Sequence, residues 1–552
     1  MALTEALAEF TEFYLGWNQV DPKLAEARIM VELQSSLMKD ADFYKVQRDY
    51  RRKGAPLLRM LEGILTEEGF RDGLREYIKK TTHGNQVTTT EFIQILQEAA
   101  GNRSQVPEEF SLKQVLKRFL DNTGYPLVRV AVENSTHFVL TQEKFLANEK
   151  GVWYIPIKLK IGREEVRNVW LTPDGKPLYV PGNTLDFILI DPDVRGYYSV
   201  IYEDNLLDRL KQQLATSENA EFSPLAKSRL LLDYFSFADK NVTSYDTPLT
   251  LSSYLSPDDD EPNYTVWLAF LWKFRSDAVR PFLGHPEFPT VHAYFTSKLD
   301  PLLLELENEL PSPYVTFLRH WMLKYSCRYR TSYCLTLAQN IFSLWHSTPN
   351  STLSSFSSHF KGISDKTMEC LIISAGGMSE FSFILQKYNN LKKKLPQSLT
   401  CTRDPQLIEI LLVKLIDPSH PSLPPKLRRN MLANLIDNEG RGEVLSFLST
   451  NFDSVVELIG NGDVEIILFS LYRLVEYFCT PLQLQQLDIF VELHRAELER
   501  YDGGNGKWVL RKLYEVVNKN IEWMDNKGRK ILGWIETSTH SNYEFIIDNI
   551  EL

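Results

Sequence analysis

The spacing of apolar positions changes twice along the chain. From Ala2 to about Asp121 it is helical. Leu57, Leu58, Leu61, Ile64 and Leu65 recur at helical intervals, and Thr88 with Glu91 forms a capping-box pattern opening a helix that stops at Gly101. At Tyr125-Pro126 the period falls to two. Leu127, Val128, Val130 and Val132, then Trp153, Ile155, Ile157 and Leu159, then Phe187 to Ile190 and Tyr197 to Tyr202, read as short strands divided by turns such as Pro173-Asp174-Gly175. These predict a small β-sandwich of about eighty residues. Beyond Glu203 the helical period returns and runs to Ile547, broken by polar loops at Ser256 to Asn263, Ser347 to Ser358 and Asp417 to Pro425. Helical pairs without a strand signal over such a length predict a solenoid-like, HEAT-like stack, although no strict repeat motif is present.

Composition narrows the class without naming a function. At 552 residues the chain has room for about three or four domains. Its 43% hydrophobic and 24% charged residues are those of an ordinary globular protein. The net charge of −11, with no lysine or arginine block, argues against nucleic acid or anionic membrane as a partner. No apolar run approaches the roughly 18 residues of a spanning helix. The start, MALTEALAEFTEFYLGW, has neither the basic region nor the apolar run of a secretory signal and reads as though inside a helix.

Candidate chemistry is sparse. The ten histidines include no pair four apart, so an H-E-x-x-H zinc helix is absent, as are a G-x-S-x-G elbow and a P-loop. His285, Glu287 and His292 come closest to a ligand cluster but lack metal spacing and read as a surface loop. Glu5, Glu9 and Glu12 share one helix face opposite Leu7, Phe10 and Tyr14, which suits either a solvated face or a ligand. Cys327, Cys334, Cys370, Cys401 and Cys479 are too few for a disulfide scaffold, and in an intracellular chain Cys327 and Cys334 would read as an unrelated pair of buried thiols. Sequons at Asn102, Asn134, Asn241, Asn263 and Asn350 number about what chance gives.

Several strings resemble one family in order. LTEALAEFTEFYLG is similar to the helix L-N-E-G-F-A-x-Y-x-E-Y-L of the gluzincin aminopeptidases of the aminopeptidase N type, which include the endoplasmic-reticulum aminopeptidases. DYRRKGAPLLRMLEGILTEEGFRDGLREYI resembles the Y-x-K-G-A-x-x-L-x-M-L helix and its successor, with Lys53-Gly54 and Met60-Leu61 in register. DNTGYPLVRVAV resembles the joint into the β-sandwich, DPDVRGYYSVIYED the signature strand G-Y-Y-R-V-N-Y-D, and NIEWMDNKGRKILGWIE the closing helix.

The resemblance implies a multidomain α+β chain. Residues 1–122 would be the C-terminal helical part of a thermolysin-like catalytic domain, 123–205 a β-sandwich and 206–552 a large α-helical C-terminal domain. It places Glu5 on the third zinc ligand. Cys327 with Cys334, and Cys370 with Cys401, would be disulfides, leaving Cys479 as a buried thiol. The catalytic tyrosine position is occupied by Arg51, with Tyr50 one place early, about 100° around a helix. The H-E-x-x-H helix and G-A-M-E-N loop are not in this sequence, so two zinc ligands and the general base are missing. The expectation is a zinc aminopeptidase portion that binds no zinc and is inactive alone, the other reading being a non-catalytic peptide- or protein-binding scaffold. The resemblance also implies peptides as partners, a homodimer through the helical domain, and an extracellular, plasma-membrane-surface or secretory-lumen location, with the five sequons as glycosylation candidates. Without the family's upstream half, the apolar face carrying Phe10 and Tyr14 is expected to lack its cover.

Overall fold

The computed structural model describes residues 2–12, 17–41, 50–82, 86–146, 153–215, 222–255, 264–275, 280–348, 350–356, 360, 363–390, 395–418, 423–438, 441–500 and 506–538. The chain is mostly helical with a small sheet region, and it divides into two compact units. One comprises Met1–Ser256, Asn263–Lys273 and Ser312–Tyr314; the other Pro257–Pro262, Phe274–Pro311 and Val315–Leu552.

The first unit opens with α1 (Ala2–Phe10), α2 (Trp17–Val20), α3 (Pro22–Ala41), α4 (Tyr50–Leu65), α5 (Glu67–Thr82), α6 (Thr89–Ala100) and α7 (Leu112–Asp121). The helical spacing read from the sequence is that of α4, where Leu57, Leu58, Leu61, Ile64 and Leu65 are all buried. The capping box forms as the sequence dictates. Thr88 Oγ1 accepts from the Glu91 amide at 3.2 Å, while Glu91 Oε2 accepts from the Thr88 amide at 2.8 Å. Gly101 closes α6 at φ +51°, a conformation that costs a glycine little.

Seven strands follow: β1 (Pro126–Asn134), β2 (His137–Lys144), β3 (Ile155–Ile161), β4 (Arg167–Leu171), β5 (Leu178–Pro181), β6 (Ile188–Ile190) and β7 (Ser199–Tyr202). They form a four-stranded sheet in the order β5-β2-β1-β7 and a three-stranded sheet in the order β4-β3-β6. In β3, buried Ile155, Ile157, Leu159 and Ile161 alternate with half-exposed residues, the mark of a strand buried on one face. β7 is buried throughout and pairs in parallel with β1. Trp153, expected within a strand, is instead buried just ahead of β3. The unit continues with α8 (Asp204–Ala215), α9 (Pro224–Asp239), α10 (Asp246–Leu251) and most of α11 (Tyr264–Arg275). α9 begins at Ser223, whose hydroxyl caps the Ala226 amide, with Pro224 at the first helical position.

The second unit is helical among its described residues. Trp345, Ile372, Leu411, Leu435, Leu471 and Val517 belong to one contiguous buried core. Helix ends inside it are closed by side chains from other helices. Arg428, on the helix Pro425–Asp437, donates to the carbonyls of Leu423, Leu415 and Asp417. Arg429 donates to those of Ile459 and Gly460. Asn520 Nδ2 reaches the carbonyls of Val475, Glu476 and Phe478 at 3.0 to 3.3 Å. A helix leaves its last four carbonyls without intrahelical partners, so a stack of short helices depends on such donors. Two disulfides, Cys327–Cys334 and Cys370–Cys401, lie in this unit, and Cys479 is a free buried thiol. The pairing is the one the resemblance implies. No described helix is long and apolar enough to cross a membrane.

Candidate functional site

Lys53, one of the residues singled out from the sequence, stands at the start of α4. Lys53 Nζ lies 2.9 Å from Asp40 Oδ2 at the end of α3. The same ammonium donates to the carbonyls of Asn122 at 2.9 Å and Gly124 at 3.0 Å, just past α7. Asp40 in turn accepts from the Gly124 amide and from the Tyr197 hydroxyl, and that hydroxyl also meets Ser36 Oγ at 3.2 Å. Burial lowers the Lys53 pKa, with Asp40 opposing the shift. Burial raises that of Tyr197 well above its ordinary value, and the Asp40 charge adds to the effect. Neither group has the exposure of a proton shuttle. The chemistry of this lysine is to pin α4 to α3 and to the joint leading into β1.

Gly54 has a separate task. A Cβ built on it would overlap Ala6 of α1, so only a hydrogen at this position lets the two helices touch. Phe10 of α1 is fully buried and meets Phe70 of α5 edge-on at 5.3 Å between ring centroids. This corrects the expectation of an uncovered face at Phe10: α4 and α5 supply the cover from within the chain. Tyr14 lies outside the described residues. Gly54 thus lets α1 lie against the first turn of α4, which Lys53 ties to α3. α1 and that turn are the backbones that carry Glu5 and Tyr50-Arg51; the three side chains lie outside those the structure describes.

The Asp191–Asp204 string builds a second hub. Asp191, at φ +56°, accepts from the amides of Arg195 at 2.9 Å and Gly196 at 2.8 Å, folding the turn before β7. Arg59 of α4 donates to the carbonyls of Asp193 and Val194, and Arg195 pairs with Glu62 at 2.5 Å. Asp233 of α9 accepts from Ser199 Oγ at 3.0 Å and the Val200 amide at 3.1 Å, with Arg229 Nε 3.0 Å away. Burial raises the Asp233 pKa against the pull of Arg229. Tyr202 OH accepts from the Ile190 amide at 2.9 Å and so ties the two sheets together. Asp40 and Asp233 have no sequence signal, and Asp191 shows only as the first residue of the DPDVRGYYSVIYED string; the role of each is recognised by what the fold brings to it.

A catalytic zinc takes three protein ligands and leaves a position open. Among the described residues no group of three or more His, Cys, Asp or Glu could hold a metal ion. The described donors therefore do not fit a zinc centre, and no chemical step is derived through one. His285 lies in a turn, its Nδ1 accepting from the Glu287 amide at 3.1 Å. His292 stands instead on the helix Phe288–Asn308, 3.4 Å from the Arg330 carbonyl. Asn102, Asn134, Asn241 and Asn350 are exposed, while Asn263 lies outside the described residues.

Comparison with known proteins gives the family. The ERAP1-like C-terminal domain matches residues 187–501, and the Peptidase family M1 domain matches residues 17–119. Aminopeptidase N of Rattus norvegicus is 24% identical over 523 residues, covering 87% of this chain and 50% of its own length. Glutamyl aminopeptidase of Bitis rhinoceros is 24% identical over 535 residues, covering 89% and 50%. Aminopeptidase Ey of Gallus gallus is 23% identical over 602 residues, covering 98% and 58%. The chain belongs to the aminopeptidase N-type gluzincin family of zinc metallopeptidases and carries its ERAP1-like C-terminal domain. It spans about half the length of the curated relatives it matches.

Proposed function

We propose that residues 1–552 correspond to the C-terminal portion of a zinc aminopeptidase that removes N-terminal residues from peptides, and that they neither hold zinc nor turn over substrate alone. The observation that carries this reading is the pair of matches: the peptidase domain over residues 17–119 only, the ERAP1-like C-terminal domain over 187–501. Residues 1–122 are the helical end of a thermolysin-like catalytic domain, 123–205 a β-sandwich and 206–552 a HEAT-like helical domain. Glu5 is the remnant third zinc ligand. Tyr50 reaches the tyrosine role only with a shift of backbone, because Arg51 holds the aligned position. Peptides are the partners, and the helical domain pairs with a second copy. The two disulfides support an extracellular, cell-surface or lumenal location, since such bonds persist where the environment is oxidising.

Dialysed residues 1–552 are expected to retain no stoichiometric zinc by elemental analysis and to release no chromophore from amino-acyl nitroanilides. Bound zinc or turnover would overturn the reading. Arg51 favours a second possibility, a peptide-binding scaffold without catalysis. It is distinguished by fluorescence-polarisation binding of labelled peptides that a zinc chelator leaves unchanged.

A further inference from the structure

The first unit presents one sequon in a geometry the others lack. Asn134 ends β1 and pairs with His137 across a two-residue hairpin turn, Ser135-Thr136, whose residues are exposed. Its Oδ1 accepts from the Thr136 amide at 2.9 Å and from Thr136 Oγ1 at 2.9 Å. Thr136 Oγ1 also stands 3.0 Å from His137 Nδ1. The Asn134 amide nitrogen makes no hydrogen bond among the described residues. The hairpin tip is held from below by Gly182, whose amide donates to the Thr136 carbonyl at 2.9 Å, and by Thr184, whose hydroxyl donates to the Asn134 carbonyl at 3.0 Å.

At the other described sequons the second hydroxyl is turned elsewhere. After Asn102, Ser104 Oγ accepts from the Val106 amide at 3.3 Å. After Asn241, which sits at φ +60°, Thr243 Oγ1 is buried with no hydrogen-bond partner. After Asn350, Thr352 Oγ1 meets Ser354 Oγ at 3.0 Å.

We propose that Asn134 is an acceptor site for an N-linked oligosaccharide, and the acceptor this fold presents ready for reaction. Donors on Oδ1 stabilise negative charge on the oxygen and so make the amide N–H more acidic; once a base of the transferase takes that proton, the nitrogen has an electron pair to give. The donor substrate is a polyprenyl diphosphate-linked oligosaccharide. The nitrogen forms a bond to the anomeric carbon as the bond from that carbon to the diphosphate oxygen breaks. The polyprenyl diphosphate leaves with the electron pair, and the amide proton passes to a base of the transferase. The exposed hairpin tip gives a bulky glycan room without disturbing the buried faces of β1 and β2.

The secretory route of the proposed function is only where this modification would occur, so the test uses the purified, folded chain and is independent of the peptidase reading. Residues 1–552 are incubated with an oligosaccharyltransferase and a polyprenyl diphosphate-linked oligosaccharide, alongside a short acceptor peptide that confirms the enzyme is active. Site occupancy is read by peptide mass spectrometry after enzymatic deglycosylation in heavy-oxygen water. The expected result is modification at Asn134 several-fold above that at Asn102, Asn241 and Asn350, lost in N134Q and retained in T136S, which keeps the hydroxyl. Equal or greater occupancy at another of these asparagines, or an unmodified chain beside a modified peptide, overturns the proposal. Matching circular dichroism of N134Q and the parent chain confirms that the loss is of the acceptor, not of the fold.

Discussion

The ammonium of Lys53 and the carboxylate of Asp40 form an ion pair 2.9 Å long in which each side chain is only 10% exposed. Two charges out of water stay favourable only when their remaining hydrogen-bonding capacity is met, and here the Asn122 and Gly124 carbonyls and the Gly124 amide meet it. Lys53→Met removes one charge and leaves the other buried among groups built for it. The expected loss is about 3–5 kcal/mol. Urea unfolding followed by tryptophan fluorescence reads it as a lower midpoint with an unchanged slope. Replacing both partners, as Lys53→Met with Asp40→Leu, is expected to recover part of the loss, which a lysine acting only by packing would not allow.

Arg428 closes the end of the helix Pro405–Leu415 through the carbonyls of Leu415, Asp417 and Leu423, and is itself 5% exposed. Arg428→Met keeps most of the stem and removes the donors. A loss of about 3 kcal/mol is expected, since a buried carbonyl deprived of a charged donor keeps its desolvation penalty. Hydrogen exchange resolves the effect: protection should fall first over residues 405–417.

Much of this architecture is legible in the sequence because its signals are local. The Thr88 and Glu91 pair and Gly101 lie within fourteen positions of each other and fix both ends of α6. The alternation of Ile155, Ile157 and Leu159 declares β3 without help. β4 and β5 escape such reading because they are edge strands whose residues are mostly half-buried or exposed. Partners distant in sequence escape it too. Phe70 covers Phe10 from sixty positions away, Asp233 waits for the β7 amides, and Arg428 shows in the sequence only as one of two adjacent arginines. Lys53 and Gly54 are legible in the sequence as a family pattern, whereas the physical reasons for them required the fold.

The capping box on α6 makes a pH prediction of definite sign. The Thr88 amide, and after it the Thr88 hydroxyl, hold the Glu91 carboxyl below its ordinary value of 4.5. A depressed folded-state pKa contributes stability that is present above the unfolded value and lost as pH falls through the folded one. Glu91→Gln keeps the box without the charge. The stability advantage of the parent chain over E91Q should therefore be constant near neutrality and shrink below about pH 4.5. Thermal melts of both chains from pH 3 to 7 check this; an advantage that grows on acidification contradicts it.

The two disulfides should contribute unequally. Cys370 and Cys401 are 31 positions apart, Cys327 and Cys334 only 7. By loop-closure entropy the longer link is worth about 3.7 kcal/mol and the shorter about 2.5. Paired serine replacements are expected to lower stability in that order under denaturant. In the parent chain, a thiol reagent should label no cysteine until unfolding, and then Cys479 alone, because its thiol is buried and donates to the Pro281 carbonyl at 3.1 Å.

The contact between α1 and α4 offers the last test, since it decides where Glu5 is carried. Gly54→Ala places a methyl group where Ala6 already stands, so the helices must separate. Phe10→Ala removes a ring that is fully buried against Phe70, a change that costs about 3–5 kcal/mol in a well-packed core. The two substitutions attack one docking from opposite sides, by crowding and by cavity. Both should expose α1 to proteases near residues 2–12 and speed hydrogen exchange there, while β1 to β7 keep their protection. Because the residues share one contact, the double variant should lose less than the sum of the singles. Strict additivity would mean that Gly54 and Phe10 serve separate interactions, and the close approach at Gly54 would then not be the device that seats α1.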